Sequence, residues 1–223
     1  MDKNLRDRVV FDFDRAARTG VPEAVFCESK PREVLERLLS SFSERSASPV
    51  LFTRLDASMF HACDSTVCAA YDYDEVSRTA FAKQLSEKHT GRVAVVAAGA
   101  ADAFVTFEAA RTLQFMNIPH TVFEDCGVAG LWRLQENLDA INQHQLIIVI
   151  AGMEAALGSV LAGLTTRPII AVPTSVGYGV CRKGETALHA LLSSCSPGLT
   201  VVNIDNGFGA ACAAAKTLNS FGF

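Results

Sequence analysis

Five short apolar runs recur in the last 133 residues or so of this 223-residue chain, at residues 93–98, 121–123, 146–150, 169–172 and 201–204. Each is followed by glycine or small polar residues and then by a helix-length segment. Runs this short, rich in Val and Ile, suit strands covered on both faces. Strands that alternate with helices form a parallel sheet with helices on both sides. The expected architecture is α/β, a three-layer, doubly wound parallel sheet of about five strands. Helices are expected over 102–116, 128–142, 154–164 and 185–194. Val201, Val202 and Ile204 read as a last buried strand, and Ala210 to Ala215 as a narrow helix that packs closely.

The first part of the chain has a different rhythm. Residues 1–18 are charged and read as a helix that Gly20 and Pro22 break. Residues 24–26 read as a short strand. Pro31 suits a first helical position, and Val34, Leu35, Leu38, Leu39 and Phe42 share one helical face. Residues 50–54 and 65–73 read as strands. The expected division is a small α+β domain over 1–90 and a larger domain over 91–223.

Composition removes several function classes. Hydrophobic residues make up 49% of the chain, enough for a sizeable core. The net charge of −4, with no basic stripe, argues against nucleic acid as a partner. No run of about 18 apolar residues suggests a membrane span, and the polar start lacks a signal-peptide core. The seven cysteines contain no Cys-x-x-Cys pair, so a metal ribbon or disulfide scaffold is a poor fit. A reducing cytoplasm with mostly buried thiols is expected. The five histidines match no metal spacing, and the metal set stays unknown.

Ligands of open parallel sheets bind beyond the carboxyl ends of the strands. Gly99, Gly127, Gly130, Gly152, Gly177, Gly179, Gly207 and Gly209 all fall there. Asp102, at the opening of a helix, reads from the residues alone as an N-cap. Glu154, with Gly152 and Met153, suits either a helix-start carboxylate or an acid/base. The segment from Pro173 to Gly179 offers the hydroxyls of Thr174, Ser175 and Tyr178 to a sugar or phosphate, or is simply a solvated loop. Asn203, Asp205, Asn206 and Gly207 put small polar groups and open backbone at the end of the last strand. Cys195 follows a helix end and, from the residues alone, reads as a buried structural thiol.

These residues resemble a known family. Ala98-Gly99-x-x-Asp102, Asp125-x-Gly127-Val128-Ala129-Gly130-Leu131, Ala151-Gly152-Met153-Glu154, the string Ala171 to Gly179, Ser194-Cys195 and the string Val202 to Ala210 resemble the LarB family. That family is built on the AIR-carboxylase fold of PurE. Arg18-x-Gly20-x-Pro22-Glu23, Lys30-x-x-x-Val34 and Thr53-Arg54 extend the resemblance to the first part. It implies a flavodoxin-like strand order and an octamer-forming homo-oligomer. It implies carboxylation of nicotinic acid adenine dinucleotide at pyridinium C5 by carbon dioxide, with hydrolysis of the phosphoanhydride. The thiol that forms a transient adduct with the ring corresponds to Cys195, and the acid/base candidates are Glu154 and Asp102. Substrate contacts fall to Gly99, Gly127, Gly130, Gly152, Met153, the loop Pro173, Thr174, Ser175, Gly177, Tyr178 and Gly179, and the segment Asn203, Asp205, Asn206 and Gly207. Magnesium is expected to help at the phosphoanhydride, with no organic cofactor. The chain departs from the family at Ala100 and Ala101, where hydroxyls are usual, and at Trp132, where histidine is usual. A PurE-type aminoimidazole ribonucleotide carboxylase or mutase, and a non-catalytic nucleotide-binding protein, are the alternatives.

Overall fold

The computed structural model describes residues 9–44, 49–86 and 89–223. The chain divides into two compact units, Met1–Leu85 and Ser86–Phe223.

The first unit is built on a mixed sheet. Its elements are α1 (Arg15–Thr19), β1 (Ala24–Phe26), α2 (Arg32–Glu44), β2 (Leu51–Thr53), α3 (Ala57–His61), α4 (Ser65–Cys68), β3 (Asp72–Asp74) and β4 (Thr79–Phe81). The strand order is β1-β2-β4-β3, with β1 and β2 parallel and the other pairs antiparallel. Val34, Leu35, Leu39 and Phe42 of α2 are buried, as their spacing predicts. Two expectations fail here. Of the helix expected over 1–18, residues 1–8 lie outside the described residues, and among residues 9–18 the helix begins only at Arg15, as α1. Phe11 and Phe13 both pack on Phe42, which two residues on opposite sides of a helix would not do. The strand expected over 65–73 is α4 followed by β3. Asp56 and Asp64 accept hydrogen bonds from the amides of Ser58 (2.9 Å) and Thr66 (2.8 Å), capping the two short helices.

The second unit contains β5 (Val93–Ala97), α5 (Ala103–Phe115), β6 (His120–Phe123), α6 (Leu131–Asn142), β7 (Leu146–Ala151), α7 (Ala156–Ala162), β8 (Ile169–Pro173), α8 (Glu185–Leu192), β9 (Leu199–Val201) and α9 (Gly207–Ser220). The sheet order is β6-β5-β7-β8-β9, all parallel. Within this unit that is the order 2-1-3-4-5, flavodoxin-like as expected. Every residue of β5, β7 and β8 is buried, which is why those three runs read as continuous apolar segments.

Two elements differ from expectation. The last strand is not covered on both faces: β9 is a short, half-exposed edge strand, and Val202 to Asp205 lie beyond it. The third helix does not begin at Glu154. Met153 and Ala155 adopt left-handed φ values of 52° and 51°, so α7 starts at Ala156. The alanine-rich α9 is buried within its own chain: Ala210, Ala211, Ala214, Ala215 and Leu218 face inward. It lies so close to α5 that a Cβ on Gly207 would stand 2.4 Å from the Val105 carbonyl oxygen. Packing of α9 on α5 therefore requires glycine at Gly207. No helix among the described residues is long and apolar enough to cross a membrane.

Candidate active site

The loops after β5, β6, β7 and β8 close around a cavity of about 300 Å³ at the carboxyl edge of the sheet. It is lined by Ala98, Gly99, Ala101 and Asp102 from the first loop and Gly127, Val128 and Ala129 from the second. Ala151, Gly152, Met153, Glu154, Ala155, Ala156 and Leu157 come from the third, and Val176 from the fourth. The walls are mostly apolar with two carboxyl groups, the usual composition of a small-molecule site.

Asp102 is the buried acid of this site, only 3% exposed. It closes the 3₁₀ turn Ala100–Asp102, and its Oδ2 accepts the Gly99 amide at 3.1 Å. In that turn Gly99 holds the N-cap position and Asp102 is the third residue reaching back to it; at α5, where Asp102 itself holds the N-cap position, its side chain makes no capping bond. Its Oδ1 accepts the hydroxyl proton of Thr174 at 2.6 Å. Burial pushes the Asp102 carboxyl above its ordinary value; the Thr174 hydroxyl and the Gly99 amide pull it down, and the charge of Asp205 pushes it up further. Glu154 is the opposite case. It is exposed and makes no hydrogen bond or ion pair with any described residue. One carboxyl is therefore held and shielded, and the other is free to turn toward a ligand.

The loops themselves are tied together. The Met153 amide donates to the Val176 carbonyl at 2.9 Å. A Cβ on Gly152 would meet that same oxygen at 2.5 Å, so only glycine lets the third and fourth loops close. Asp205 accepts the Ser175 amide at 2.7 Å, and Asn206 caps α9 through the Gly209 amide at 2.8 Å. Non-glycine residues with left-handed backbone gather on these loops: Asp125, Met153, Ala155 and Asp205 have φ between 51° and 56°. Such strain persists where surrounding contacts over-determine it and concentrates at functional sites.

The expected site residues separate into three groups. Gly99, Asp102, Gly127, Gly152, Met153 and Glu154 line the cavity together. Gly130, Pro173, Ser175, Gly177, Tyr178, Gly179, Asn203, Asp205 and Asn206 occupy the same sheet edge but do not line it. Thr174 is a correction: fully buried, its hydroxyl is committed to Asp102 rather than offered to a ligand.

Cys195 is the outlier. It is exposed, not buried, against the reading from residues alone. It lies in the connection between α8 and β9. Leu199 of β9 is level with Ile169, where β8 begins, so the chain just before it sits at the amino edge of the sheet. The cavity lies past the other end, where Ala151 is level with Pro173. Five residues at about 3.3 Å each put roughly 15 Å between those edges.

Two polar residues near the site were missed. Glu108, 1% exposed on α5, accepts the Phe208 amide at 3.1 Å and so holds the start of α9. A lone acid amid Val105, Phe107 and Ala109 was the available signal. Arg133 on α6 pairs with Asp125, and its guanidinium lies where a Cβ on Gly130 would touch it at 2.9 Å. In sequence it resembled any solvated helix residue.

Residues 92–221 match the AIR carboxylase family, and residues 4–84 match the LarB/PurE-like N-terminal domain. An uncharacterized protein, MJ0165, of Methanocaldococcus jannaschii is 35% identical over 216 residues, covering 93% of this chain and 83% of that protein. The N5-carboxyaminoimidazole ribonucleotide mutase of the same organism is 39% identical over 98 residues, 41% of this chain and 58% of that enzyme. Fold, pocket and matches define an α/β protein with a PurE-like core and a carboxylase-related role. With its N-terminal domain, the chain belongs to the LarB-like proteins of the AIR-carboxylase family.

Proposed function

We propose that this protein carboxylates nicotinic acid adenine dinucleotide at C5 of the pyridinium ring with carbon dioxide. It then hydrolyses the phosphoanhydride, releasing AMP and pyridinium-3,5-biscarboxylic acid mononucleotide for nickel-pincer cofactor biosynthesis. The observation that carries this reading is the cavity lining: two carboxyl groups and no imidazole. A PurE-type reaction on aminoimidazole ribonucleotide calls for a proton-shuttling histidine, and none lines the site.

An electron-poor pyridinium does not attack carbon dioxide. Addition of a thiolate to the carbon beside C5 neutralises the ring nitrogen and makes C5 enamine-like and nucleophilic. C5 then bonds to carbon dioxide, a base takes the C5 proton, and thiolate leaves as aromaticity returns. Cys195 is the thiol in this reading. Glu154, exposed and without a partner among the described residues, is the base. Asp102, held by Thr174 and Gly99, supplies a shielded carboxyl beside the ring. Among the described residues no three His, Cys, Asp or Glu side chains gather into a metal cage. Magnesium would therefore arrive with the diphosphate of the substrate and not occupy a resident site, in keeping with its preference for phosphate and water ligands.

The test is incubation of the purified protein with nicotinic acid adenine dinucleotide, labelled bicarbonate and magnesium, with products read by mass spectrometry. AMP plus a labelled, biscarboxylated mononucleotide is the expected outcome. Binding without turnover would sink the catalytic reading in favour of a nucleotide-binding protein.

A further inference from the structure

The cavity is lined by two carboxyl groups and, among the described residues, by no cation. At about 300 Å³ it stands at the bottom of the range of about 300–1,000 Å³ for small-molecule sites. It has room for one ring and its ribose. It has neither the room nor the charge for a diphosphate and a second nucleoside, because carboxylates repel phosphate. A dinucleotide therefore has to leave the cavity over one of its rims.

The rim at the second loop carries what such a ligand needs. Val128 and Ala129 line the cavity, and α6 begins just beyond them at Leu131. Arg133 lies in its first turn. The guanidinium pairs with Asp125 and lies over Gly130, where an added Cβ would stand 2.9 Å from both Nε and Nη2. Among the described residues, Arg133 Nε is the one buried side-chain nitrogen or oxygen without a hydrogen-bond partner. Buried polar groups are nearly always paired, so this guanidinium holds donor capacity in reserve. The Asp125 side chain is 58% exposed, and ion pairs this open to water are weak, so a phosphate displaces it at little cost.

Trp132 stands beside this arginine. Leu134 and Ile141 turn one face of α6 to the core, and at about 3.6 residues per turn Trp132 falls on the side away from them. It is 60% exposed. A helical side chain leans toward the amino end and covers the preceding turn. For Trp132 that turn is Val128 to Gly130, the rim of the cavity.

We infer that Trp132 is the stacking platform for the adenine of the substrate, with Arg133 holding the diphosphate between it and the cavity. The inference deepens the proposed function and takes the identity of the dinucleotide from it. The pyridinium occupies the cavity beside Asp102 and Glu154, and the AMP half lies along Gly130 to Arg133. An indole face stacks on a purine, and a guanidinium takes phosphate oxygens two at a time.

The chain has one tryptophan, so its fluorescence reports on position 132 alone. With excitation at the red edge of indole absorption, AMP should quench that emission, and ribose 5-phosphate, which lacks the base, should not. By calorimetry Trp132→Ala should weaken AMP binding about tenfold, and Trp132→Phe should recover most of the loss. The KM for nicotinic acid adenine dinucleotide should rise by a similar factor in Trp132→Ala, with kcat held. Arg133→Gln should weaken AMP more than adenosine. Absence of quenching by AMP overturns the inference and leaves the proposed reaction standing. So does unchanged AMP affinity in Trp132→Ala. So does a shielded, blue-shifted emission from the free protein, which would mean that a second copy of the chain covers Trp132. Quenching by AMP without carboxylation of the dinucleotide keeps the adenylate site and sinks the proposed reaction instead.

Discussion

The hydroxyl of Thr174 donates to Asp102 Oδ1 at 2.6 Å, joining residues 72 positions apart. It ties the end of β8 to the turn after β5 across the intervening strand β7. Both groups are buried, so neither can exchange its partner for water. Thr174→Val keeps the shape and removes the donor. It should cost about 1–3 kcal/mol in stability, the usual penalty for stripping a buried polar group of its partner. Turnover should fall by about tenfold or more, equivalent to about 1.4 kcal/mol in the barrier. Thr174→Ser should recover most of both. Thermal unfolding and steady-state carboxylation measure the two effects.

Asp102 should titrate above its ordinary value of 3.8 in the folded protein. The sign follows from proton counting: the native state holds this proton at pH values where the unfolded chain has released it. The contribution of Asp102 to stability is therefore greatest below about pH 3.8. It declines as pH rises toward the native-state value and is level above that. A carboxyl-carbon NMR titration measures the pKa directly. Asp102→Asn should remove that part of the slope of stability against pH.

The glycines of the site are not equivalent. A Cβ on Gly207 would stand 2.4 Å from the Val105 carbonyl, whereas one on Gly99 would meet nothing nearer than 3.9 Å. Gly207→Ala must push α9 away from α5 and should cost about 1–3 kcal/mol. For a chain of this size that lowers Tm by roughly 2–4 °C per kcal/mol. Gly99→Ala should leave Tm nearly unchanged. Equal losses in the two variants would show that the contact between α5 and α9 does not demand glycine.

Burial pushes the thiols of Cys27 and Cys212 up to about 12. At pH 8 roughly one in 10,000 of each would be thiolate, the form that reacts. Iodoacetamide followed by peptide mass spectrometry should modify Cys195 first and these two last. Nicotinic acid adenine dinucleotide should slow the modification of Cys195. Protection of Cys27 or Cys212 alone would place the ligand elsewhere.

Much of the larger unit was legible because burial leaves a one-dimensional trace. Residues of β5, β7 and β8 are covered on both faces, so their sequences are unbroken apolar runs, and the punctuation after each run marks the carboxyl edge where the cavity lies. The smaller unit was less legible. Its three-residue strands are too short for periodicity to separate from helix, and α4 was read as strand for that reason.

By itself the sequence determined the parallel sheet, its five strands and the clustering of Gly99, Asp102, Gly152 and Glu154 at one edge. These follow from local pattern and from the chain order of strand and loop. Only the tertiary structure decided what each group does there. Thr174 turned out to hold Asp102, Gly207 to admit α5, Glu108 to hold the start of α9, and Cys195 to face outward from the opposite edge. Each of these depends on a partner far away in sequence or on the direction in which a loop leaves the sheet. Local propensity carries no record of either, because both arise only when distant segments are brought within contact distance by folding.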